Sequence, residues 1–386
     1  MNTNPTRERR QFAHDYESGQ WSMSELCKRY GVSRPTGYEW VRRGRSGEAG
    51  WFEDRAHVPG VCPHRTGSEV EQRIVAARKK YGWGAGKLAL LLRRQHPELR
   101  LPARSTINAI LERHDLVQRR RRRRTWPHPG AAPLLTERPN QVWPIDFKGQ
   151  FRMRDASYCY PLTVTDHFSR SLLLCKALPS VKAEGVKPAL RRLFREVGLP
   201  EAIRSDNGVP FASQGLHGLC SLNVWWMQLG IVHQRIRPSS PQENGTHERM
   251  HRDLKREATR PPAHNLRAQQ RTFDRFRVRF NHERPHDALA GEVPAKRWKP
   301  SPRPYPESLA KPEYDSHLEV RLVSDNGTIR LRSDTIFLSR ALKHQLVGLE
   351  PIGDGLWNLV YYRTLLARID ERSSTLTGAG IDPDDL

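Results

Sequence analysis

The sequence predicts a multidomain protein in which α-helical helix-turn-helix domains come first, an α/β core follows and a small all-β domain comes last. Three observations support this prediction. Residues 6–118 carry apolar residues at three- and four-residue spacing, between serines and glycines that can cap helices. Residues 138–290 alternate short apolar strands with amphipathic helices, which is typical of an α/β layer architecture. Residues 317–370 alternate apolar and polar residues between turn residues, as in a small barrel or sandwich.

The net charge indicates a polyanionic partner. The 386 residues include 65 Lys and Arg against 42 Asp and Glu, so the formal net charge is +23 and the sequence pI is about 10.4. The excess is uneven, because residues 1–130 hold 27 Lys and Arg but only 13 Asp and Glu. This unevenness argues against a basic protein with no specific partner. Since Lys and Arg bind phosphates with release of counterions, we expect nucleic acid in preference to a membrane.

Cysteine usage and the N-terminal residues exclude several classes of protein. The five cysteines are widely spaced without a C-x-x-C pair, so neither a disulfide framework nor a zinc knuckle is indicated. The N-terminal residues lack the apolar run of a signal peptide, and no apolar run approaches membrane-spanning length. We therefore expect a cytoplasmic protein with access to DNA.

Changes in composition also place the domain boundaries. We expect two helix-turn-helix DNA-binding domains at residues 1–60 and 61–118, followed by an arginine-rich linker at 119–137. The α/β core is expected at 138–293 and a proline-rich linker at 294–316. A small β-barrel domain at 317–372 and a tail at 373–386 complete the chain.

The first helical domain has clear helix boundaries. Ser22 can cap a helix, and Glu25 three residues later completes a capping box. Gly31 ends this helix, at a position that favours a left-handed residue, and Ser33 caps the next. The same pattern occurs in ordinary helical hairpins, but the positive charge favours DNA binding. The basic residues expected to contact DNA here are Arg34, Arg42 and Arg43.

A second helical unit follows with a similar pattern. Helices are expected at 69–80, at 87–94 after the break at Trp83-Gly84, and at 106–113, where Ser105 is the predicted cap. This unit is either a further DNA-binding domain or a three-helix packing module. The predicted DNA contacts in it are Lys87 and Arg104.

A run of six arginines separates the helical domains from the core. So dense a run of like charge repels itself, which indicates a segment that is disordered until it meets phosphate. It is either a solvated linker or a tether that binds the DNA backbone. Its members are Arg119, Arg120, Arg121, Arg122, Arg123 and Arg124.

The core is expected to contain a mixed sheet. Strands are predicted at 141–147, 158–165, 172–176, 202–205 and 231–236, and helices at 186–197, 219–229 and 266–280. The tetrapeptide Ser205-Asp206-Asn207-Gly208 recurs as Ser324-Asp325-Asn326-Gly327. The second copy lies between two alternating runs and is predicted to be a hairpin turn. The first copy follows a strand, where α/β sheets place their functional sites.

Three carboxylates distant in sequence form the predicted catalytic and metal site: Asp146, Asp206 and Glu248. Three negative charges held close together are costly unless cations are bound there. Mg²⁺ or Mn²⁺ binds such oxygen ligands, and two ions per site support phosphodiester displacement without a protein nucleophile. Glu243 is the alternative third carboxylate, but it precedes a flexible Asn-Gly turn and is less suited to hold a metal rigidly.

Glu248 also belongs to a different pattern. His247-Glu248-Arg249-Met250-His251 matches the H-E-x-x-H pattern of zinc peptidases, although no third ligand is evident. We therefore interpret His247 and His251 as surface or DNA-facing residues. Arg252 and Lys255 share the helical face of Glu248 and are predicted to contact DNA phosphates. Asp166 is interpreted either as structural or as a residue that supports the metal ligands without binding the metal itself.

Taken together, these segments resemble bacterial insertion-sequence transposases of the retroviral-integrase superfamily, which have an N-terminal helix-turn-helix and a core with two aspartates and a glutamate. The resemblance covers roughly residues 6–300. It is carried by Val142-Trp143-Pro144-Ile145-Asp146-Phe147, Val164-Thr165-Asp166-His167-Phe168-Ser169-Arg170, Arg204-Ser205-Asp206-Asn207-Gly208, Pro241-Gln242-Glu243-Asn244-Gly245-Thr246-His247-Glu248 and Asn281-His282-Glu283-Arg284-Pro285-His286-Asp287-Ala288-Leu289. One departure from the family's pattern is the spacing between the second and third carboxylates. Here 41 residues separate Asp206 from Glu248, which is more than is usual in the family and fits a small insertion near 215–223.

The resemblance implies an RNase H-like core and an SH3-like C-terminal domain. It also implies a DNA transposase that binds terminal inverted repeats, hydrolyses the phosphodiester at each end to free a 3′-OH and joins that end to target DNA. A homo-oligomer that bridges two ends is expected, in the bacterial cytoplasm and associated with the nucleoid when bound to DNA. The alternatives are a non-catalytic DNA-binding regulator derived from such an enzyme and, less favoured, a zinc peptidase.

Overall fold

The structure is a computed structural model that describes residues 5–54, 65–117, 135–213, 215–236 and 245–378. The chain divides into two compact units, Met1–Gly67 and Ser68–Leu386, which are described separately below. Among the described residues, no helix is both long and apolar enough to cross a membrane.

The first unit is a three-helix domain of α1 (Pro5–Glu17), α2 (Met23–Tyr30) and α3 (Arg34–Arg45). The predicted caps are confirmed: Ser22 and Glu25 form the capping box, Gly31 is left-handed with φ 65°, and the Ser33 side chain accepts from the backbone of α3. The helices cross closely at Gly37, where a Cβ would lie 2.8–2.9 Å from side chains of the core. Only glycine fits this crossing, so the sequence fixes the approach of α3 to its neighbours.

The second unit begins with α4 (Ser68–Tyr81), α5 (Ala85–Gln95) and α6 (Arg104–Arg113). Their shared core includes Trp83, which lies at the predicted break and is buried. The prediction that Ser105 caps α6 is wrong. The first helical hydrogen bond runs from the Ile107 amide to the Ala103 carbonyl, so α6 begins two residues earlier than predicted, at Arg104, and Ser105 lies inside its first turn.

The α/β core has the predicted mixed sheet. Its strands are β1 (Val142–Phe147), β2 (Phe151–Arg152), β3 (Tyr158–Thr165), β4 (Leu172–Leu178), β5 (Ala202–Ser205) and β6 (Val232–Arg235). The main order is β4-β3-β1-β5-β6, and β2 pairs with the start of β3. β3 is antiparallel to β1 and β4, whereas β1, β5 and β6 run parallel. The carboxyl ends of the parallel strands therefore lie at one edge.

Two pairs of helices cover the two faces of this sheet. α7 (Ala183–Val197) and α8 (Ser221–Gln228) pack on the face that carries Trp143 and Ile145. On the other face lie α9 (Gly245–Ala258) and α10 (Leu266–His282). Because side chains alternate along a strand, Asp146 and its partner Thr163 point to the face of α9.

The proline-dense segment after α10, predicted as a linker, is a strap bonded to the core. The Lys299 carbonyl accepts from the Asn140 side chain at 2.9 Å, and the Leu199 amide donates to the Arg303 carbonyl at 2.7 Å. The Arg303 guanidinium donates to the carbonyls of Leu229 and Gly230. The strap passes so closely that a Cβ at Gly198, which has φ 82°, would lie 2.7 Å from two of its carbonyl oxygens.

The C-terminal domain is all-β, as predicted. Its strands are β7 (Glu319–Leu322), β8 (Thr328–Leu331), β9 (Asp334–Phe337), β10 (Leu346–Gly353), β11 (Leu356–Tyr361), β12 (Thr364–Asp370) and β13 (Thr375–Gly378). A five-stranded sheet has the order β13-β12-β11-β10-β7, and β8 and β9 form a separate pair. Whether the domain is SH3-like stays a prediction.

The predicted hairpin at Ser324–Gly327 is wrong in its pairing. A tight turn exists, with the Gly327 amide donating to the Ser324 carbonyl at 3.0 Å. However, β7 pairs with β10, and β8 pairs with β9. The Val323 amide donates to Gln345, and this bond holds the end of β7 beside β10 while β8 turns away.

Candidate active site

Asp146 is the most strongly perturbed carboxyl of the predicted triad. It lies near the end of β1 in the centre of the sheet and faces α9. Burial raises its pKa to about 7, and the negative charges of Asp206 and Glu248 contribute to the increase. A carboxyl whose pKa is raised by neighbouring carboxylates lies in a site with excess negative charge.

Asp206 is brought beside Asp146 by strand register. In the parallel pair, Val142 lies opposite Ala202 and Pro144 opposite Arg204, and the same register continued places Asp206 level with Asp146. The loop after β5 is held by its own hydrogen bonds. The Gly208 amide donates to the Asp206 carboxylate at 3.1 Å.

Glu248 reaches the same site from the first turn of α9, where its side chain is exposed. α9 packs on the sheet through Met250 and Leu254. The charges of Asp206 and Glu248 both act on Asp146, so the two carboxylates lie within electrostatic range of it. That the three bind metal together stays a prediction.

The prediction that His247 and His251 are surface or DNA-facing residues is wrong. Their exposed fractions are 1% and 6%. Burial lowers the pKa of His247 to about 3 and that of His251 to about 2, so both imidazoles are neutral. The reason is helical spacing: both lie on the side of α9 that carries Met250 and Leu254. This apolar periodicity was the sequence signal for their burial.

Thr163 links the two imidazoles to Asp146. Its hydroxyl donates to the Asp146 carbonyl at 3.0 Å and lies 2.7 Å from Nε2 of both His247 and His251. Because a hydroxyl has one proton, both imidazoles donate through Nε2–H. The His251 Nδ1 lone pair then faces the Asp146 carboxyl oxygen at 3.8 Å. His251 is therefore a residue of the site that sequence reasoning missed.

Asp146, His247 and His251 also form a possible metal-binding group, with ligand atoms within 4.8 Å of one another. Asp146 supplies the third ligand that the zinc-peptidase pattern lacks in sequence. However, both nitrogens of His247 are hydrogen-bonded, to Thr163 and to Thr165 at 3.0 Å. Within the described residues, Nδ1 of His251 is the imidazole nitrogen that is left to bind a metal beside Asp146.

Arg284 holds α9 in place, and sequence reasoning did not assign it a role. Its guanidinium donates to Asp253 at 2.6 Å and to Glu257 at 2.9 Å, both on α9. It also lies over the Trp83 ring, 5.6 Å from its centroid. The Trp83 indole in turn donates to Glu257 at 3.4 Å, so the second helical unit is fastened to the helix that carries Glu248.

Asp166 is structural, as interpreted from the sequence. It is buried and accepts hydrogen bonds from the amides of Asn140 and Ser169 at 2.7 and 2.8 Å, and from the Ser169 hydroxyl. These bonds order the turn between β3 and β4, which ends at Arg170.

The residues predicted to bind DNA lie in several places. Arg252 and Lys255 are exposed on α9, on the side of Glu248. Arg34 bonds to Ser24, Arg42 pairs with Glu39, and Arg43 donates to the Glu53 carbonyl. Arg104 is exposed at the start of α6, whereas Lys87 lines a cavity. The arginines at 119–124 lie outside the described residues. For all the residues named in this paragraph, contact with DNA stays a prediction.

Comparisons with known proteins agree with this architecture. The family described as "Integrase core domain" matches residues 136–241, and a second family with the same description matches residues 229–294. Residues 136–294 of the chain thus match integrase core domains. In front of this integrase core, the family described as "Homeodomain-like domain" matches residues 3–52.

The chain is similar to proteins of insertion elements. It is 27% identical over 242 residues to the insertion element IS476 uncharacterized 39.2 kDa protein of Xanthomonas euvesicatoria, covering 62% of this chain and 67% of that protein. It is 27% identical over 181 residues to the insertion element IS407 uncharacterized 31.7 kDa protein of Burkholderia multivorans, covering 47% of this chain and 63% of that protein. The predicted resemblance to bacterial insertion-sequence transposases with an integrase-type core is confirmed.

Viral proteins are also similar to part of this chain. The Pol polyprotein of feline endogenous virus ECE1 is 34% identical over 124 residues, which are 32% of this chain and 11% of that protein. Among solved structures, the HTLV-2 integrase catalytic core domain in complex with magnesium is 17% identical, with a TM-score of 0.33, covering 42% of this chain and 97% of that chain.

Proposed function

We propose that this protein is a DNA transposase that binds the terminal inverted repeats of its element, cleaves the element ends and joins them to target DNA. The observation that carries the proposal is the position of Asp206 and Glu248 around Asp146, whose pKa is raised to about 7 by burial first and then by the charges of these two carboxylates. Similarity to insertion-element proteins supports the same function.

The site's donor set fits hard divalent cations. Three carboxylates supply oxygen ligands, and their mutual repulsion is relieved by positive charge. When bound, two Mg²⁺ or Mn²⁺ ions would activate the attacking oxygen and stabilise the leaving oxygen of the phosphodiester. Asp146, Asp206 and Glu248 are the residues that would hold them.

The reaction needs no protein nucleophile. Water attacks the phosphorus at the element end, the bond from phosphorus to the 3′ oxygen breaks, and a free 3′-OH results. This hydroxyl then attacks the phosphorus of a phosphodiester in the target DNA. The new bond replaces the bond from that phosphorus to the target's own 3′ oxygen, which leaves as a 3′-OH. Arg252 and Lys255, exposed on the Glu248 side of α9, would position backbone phosphates for both steps.

Cleavage by single-carboxylate variants tests the proposal. On duplexes that carry the inverted repeats flanking the gene, Asp146→Asn and Glu248→Gln should each lower Mg²⁺-dependent cleavage at least about 100-fold, since each removes a negatively charged ligand. Glu243→Gln is the matched control and should retain activity.

Each other outcome has a definite meaning. No cleavage by the wild-type protein, with specific binding of the repeats intact, would favour the DNA-binding regulator. Loss of activity in Glu243→Gln but not in Glu248→Gln would assign the third carboxylate to Glu243.

A further inference from the structure

A cavity of about 360 Å³ lies beside α9, away from the carboxylate site. Its walls come from α5, the turn after β3, the first two turns of α9 and the loop after α10. Thr246, Arg249, Met250 and Asp253 line it, at positions i, i+3, i+4 and i+7 of α9. Because successive residues are turned by about 100°, Glu248 projects from the other side of this helix. The cavity is therefore distinct from the predicted catalytic site.

Four cationic side chains line this cavity, and one of them, Arg284, is paired with Asp253 and Glu257. Lys87 from α5 and Arg170 from the turn after β3 are both partly buried, and Arg249 reaches in from α9. In the described part of the chain, Lys87 and Arg249 have no carboxylate partner, and Arg170 donates only to the Thr246 hydroxyl at 3.2 Å. Buried cations without counter-ions are costly, so such a group indicates an anionic ligand.

The acidic groups at the cavity offset these cations only in part. Asp253 is occupied by Arg284, and Asp166 by the backbone of its own turn, which leaves Asp287 as the third carboxylate of the lining. Burial and then Arg284 lower the pKa of Lys87, although Asp287 and Asp253 oppose this shift. Burial lowers the pKa of Arg170 against the opposing effect of Asp166, and Arg249 lowers it further. The cations thus repel one another across a shared space.

We propose that this cavity binds a phosphate group of the DNA backbone, separate from the phosphodiester that reacts. The assignment rests on the proposed function, since it makes the ligand a phosphate of the DNA strand that passes α9. A phosphate fits this chemistry because it offers several acceptor oxygens to Lys and Arg donors, and the amino end of α9 adds the positive end of its dipole. Lys87 makes the second helical unit part of the DNA-binding surface of the core.

The salt dependence of DNA binding tests this assignment. The affinity of a fluorescently labelled duplex of arbitrary sequence is measured by anisotropy between about 50 and 200 mM KCl. In the double variant K87Q/R170Q, the slope of log affinity against log salt should become shallower by about 0.9, the value for one lost phosphate contact. Arg191→Gln, exposed on α7 at the opposite face of the sheet, is the matched control and should keep the wild-type slope.

Thermal unfolding without DNA separates a binding role from a structural one. Lys87→Gln should raise Tm by about 2 °C at low salt, because it relieves repulsion among cations that have no partner. At constant ionic strength, potassium phosphate should raise the Tm of the wild type more than that of K87Q/R170Q. A lower Tm for Lys87→Gln together with an unchanged salt slope would overturn the proposal.

Two further outcomes are decisive. Phosphate could raise the Tm of the wild type more than that of K87Q/R170Q while the salt dependence of DNA affinity is the same in both proteins. In that case the cavity binds free phosphate and the DNA assignment is wrong. Asp146→Asn should abolish cleavage and leave the slope unchanged. A slope change in K87Q/R170Q without cleavage by any protein would sink the proposed transposition but keep the phosphate site.

Discussion

At the scale of single residues, Asp146 combines a central position in the sheet with an unfavourable charge. Its carboxyl is partly buried, faces the lone pair of His251 and lies near two other carboxylates. The sequence identified Asp146 because it interrupts an apolar strand. It did not identify Thr163 and the two imidazoles behind it, because their roles depend on hydrogen bonds between residues more than 80 positions apart.

The raised pKa of Asp146 predicts how stability depends on pH without metal. The folded pKa of about 7 exceeds the unfolded value near 3.9, so the folded state holds an extra proton between these pH values. Its contribution to stability is present below about pH 4 and is lost as pH rises through 7. In EDTA, Asp146→Asn should therefore be more stable than the wild type at pH 8, by up to about 4 kcal/mol.

Urea unfolding of both proteins from pH 5 to pH 8 checks this prediction. The stability difference should grow with pH, and Mg²⁺ should reduce it at pH 8 by stabilising the wild type alone. Equal pH dependence in the two proteins would show that Asp146 is not perturbed.

At the scale of elements, the sequence predicted the existence of helices and strands well and their partners poorly. Capped helices such as α2 and α3 follow local rules that neighbouring residues decide. The pairing of β7 with β10 is not decided by such local rules, because it depends on contacts with residues some 25 positions later in the chain. The same limit applies to α9: its apolar periodicity is local, but the fastening of its polar side to Arg284 is not.

Arg284 provides the test at this scale. Arg284→Met should destabilise the protein by about 3–5 kcal/mol, because it leaves Asp253 and Glu257 partly buried without their buried guanidinium partner and with only the exposed Arg256 beside them. The matched control is Arg256→Met. Arg256 pairs with the same two carboxylates but is 52% exposed, against 6% for Arg284, so its loss should cost less than about 1 kcal/mol.

Urea unfolding measures both variants. Adding Asp253→Asn and Glu257→Gln to Arg284→Met should recover part of the loss, since the unpaired charges are then removed. Similar losses for Arg284→Met and Arg256→Met would mean that the buried pair does not fasten α9.

At the scale of the whole molecule, residues 68–386 form one compact unit. The proline-dense strap is bonded to the core, and the β domain shares a hydrophobic cluster with α8 through Val224 and Met227. The Gln228 side chain adds hydrogen bonds to Gln345 at 2.9 Å and Tyr361 at 3.1 Å. Composition indicated that the proline-dense segment is a linker, because proline is common in linkers. Proline also suits an extended strap whose carbonyls accept hydrogen bonds.

This shared cluster predicts that α8 and the β domain lose stability together. Met227→Ala removes a buried side chain between them and should cost about 2–5 kcal/mol. Hydrogen exchange should then become faster in β10 and β11 as well as in α8, because the cavity weakens both sides of the contact. Val278→Ala, at an exposed position on α10, is the control and should leave both regions unchanged. Faster exchange confined to α8 would instead show that the β domain is stable without its contact to the core.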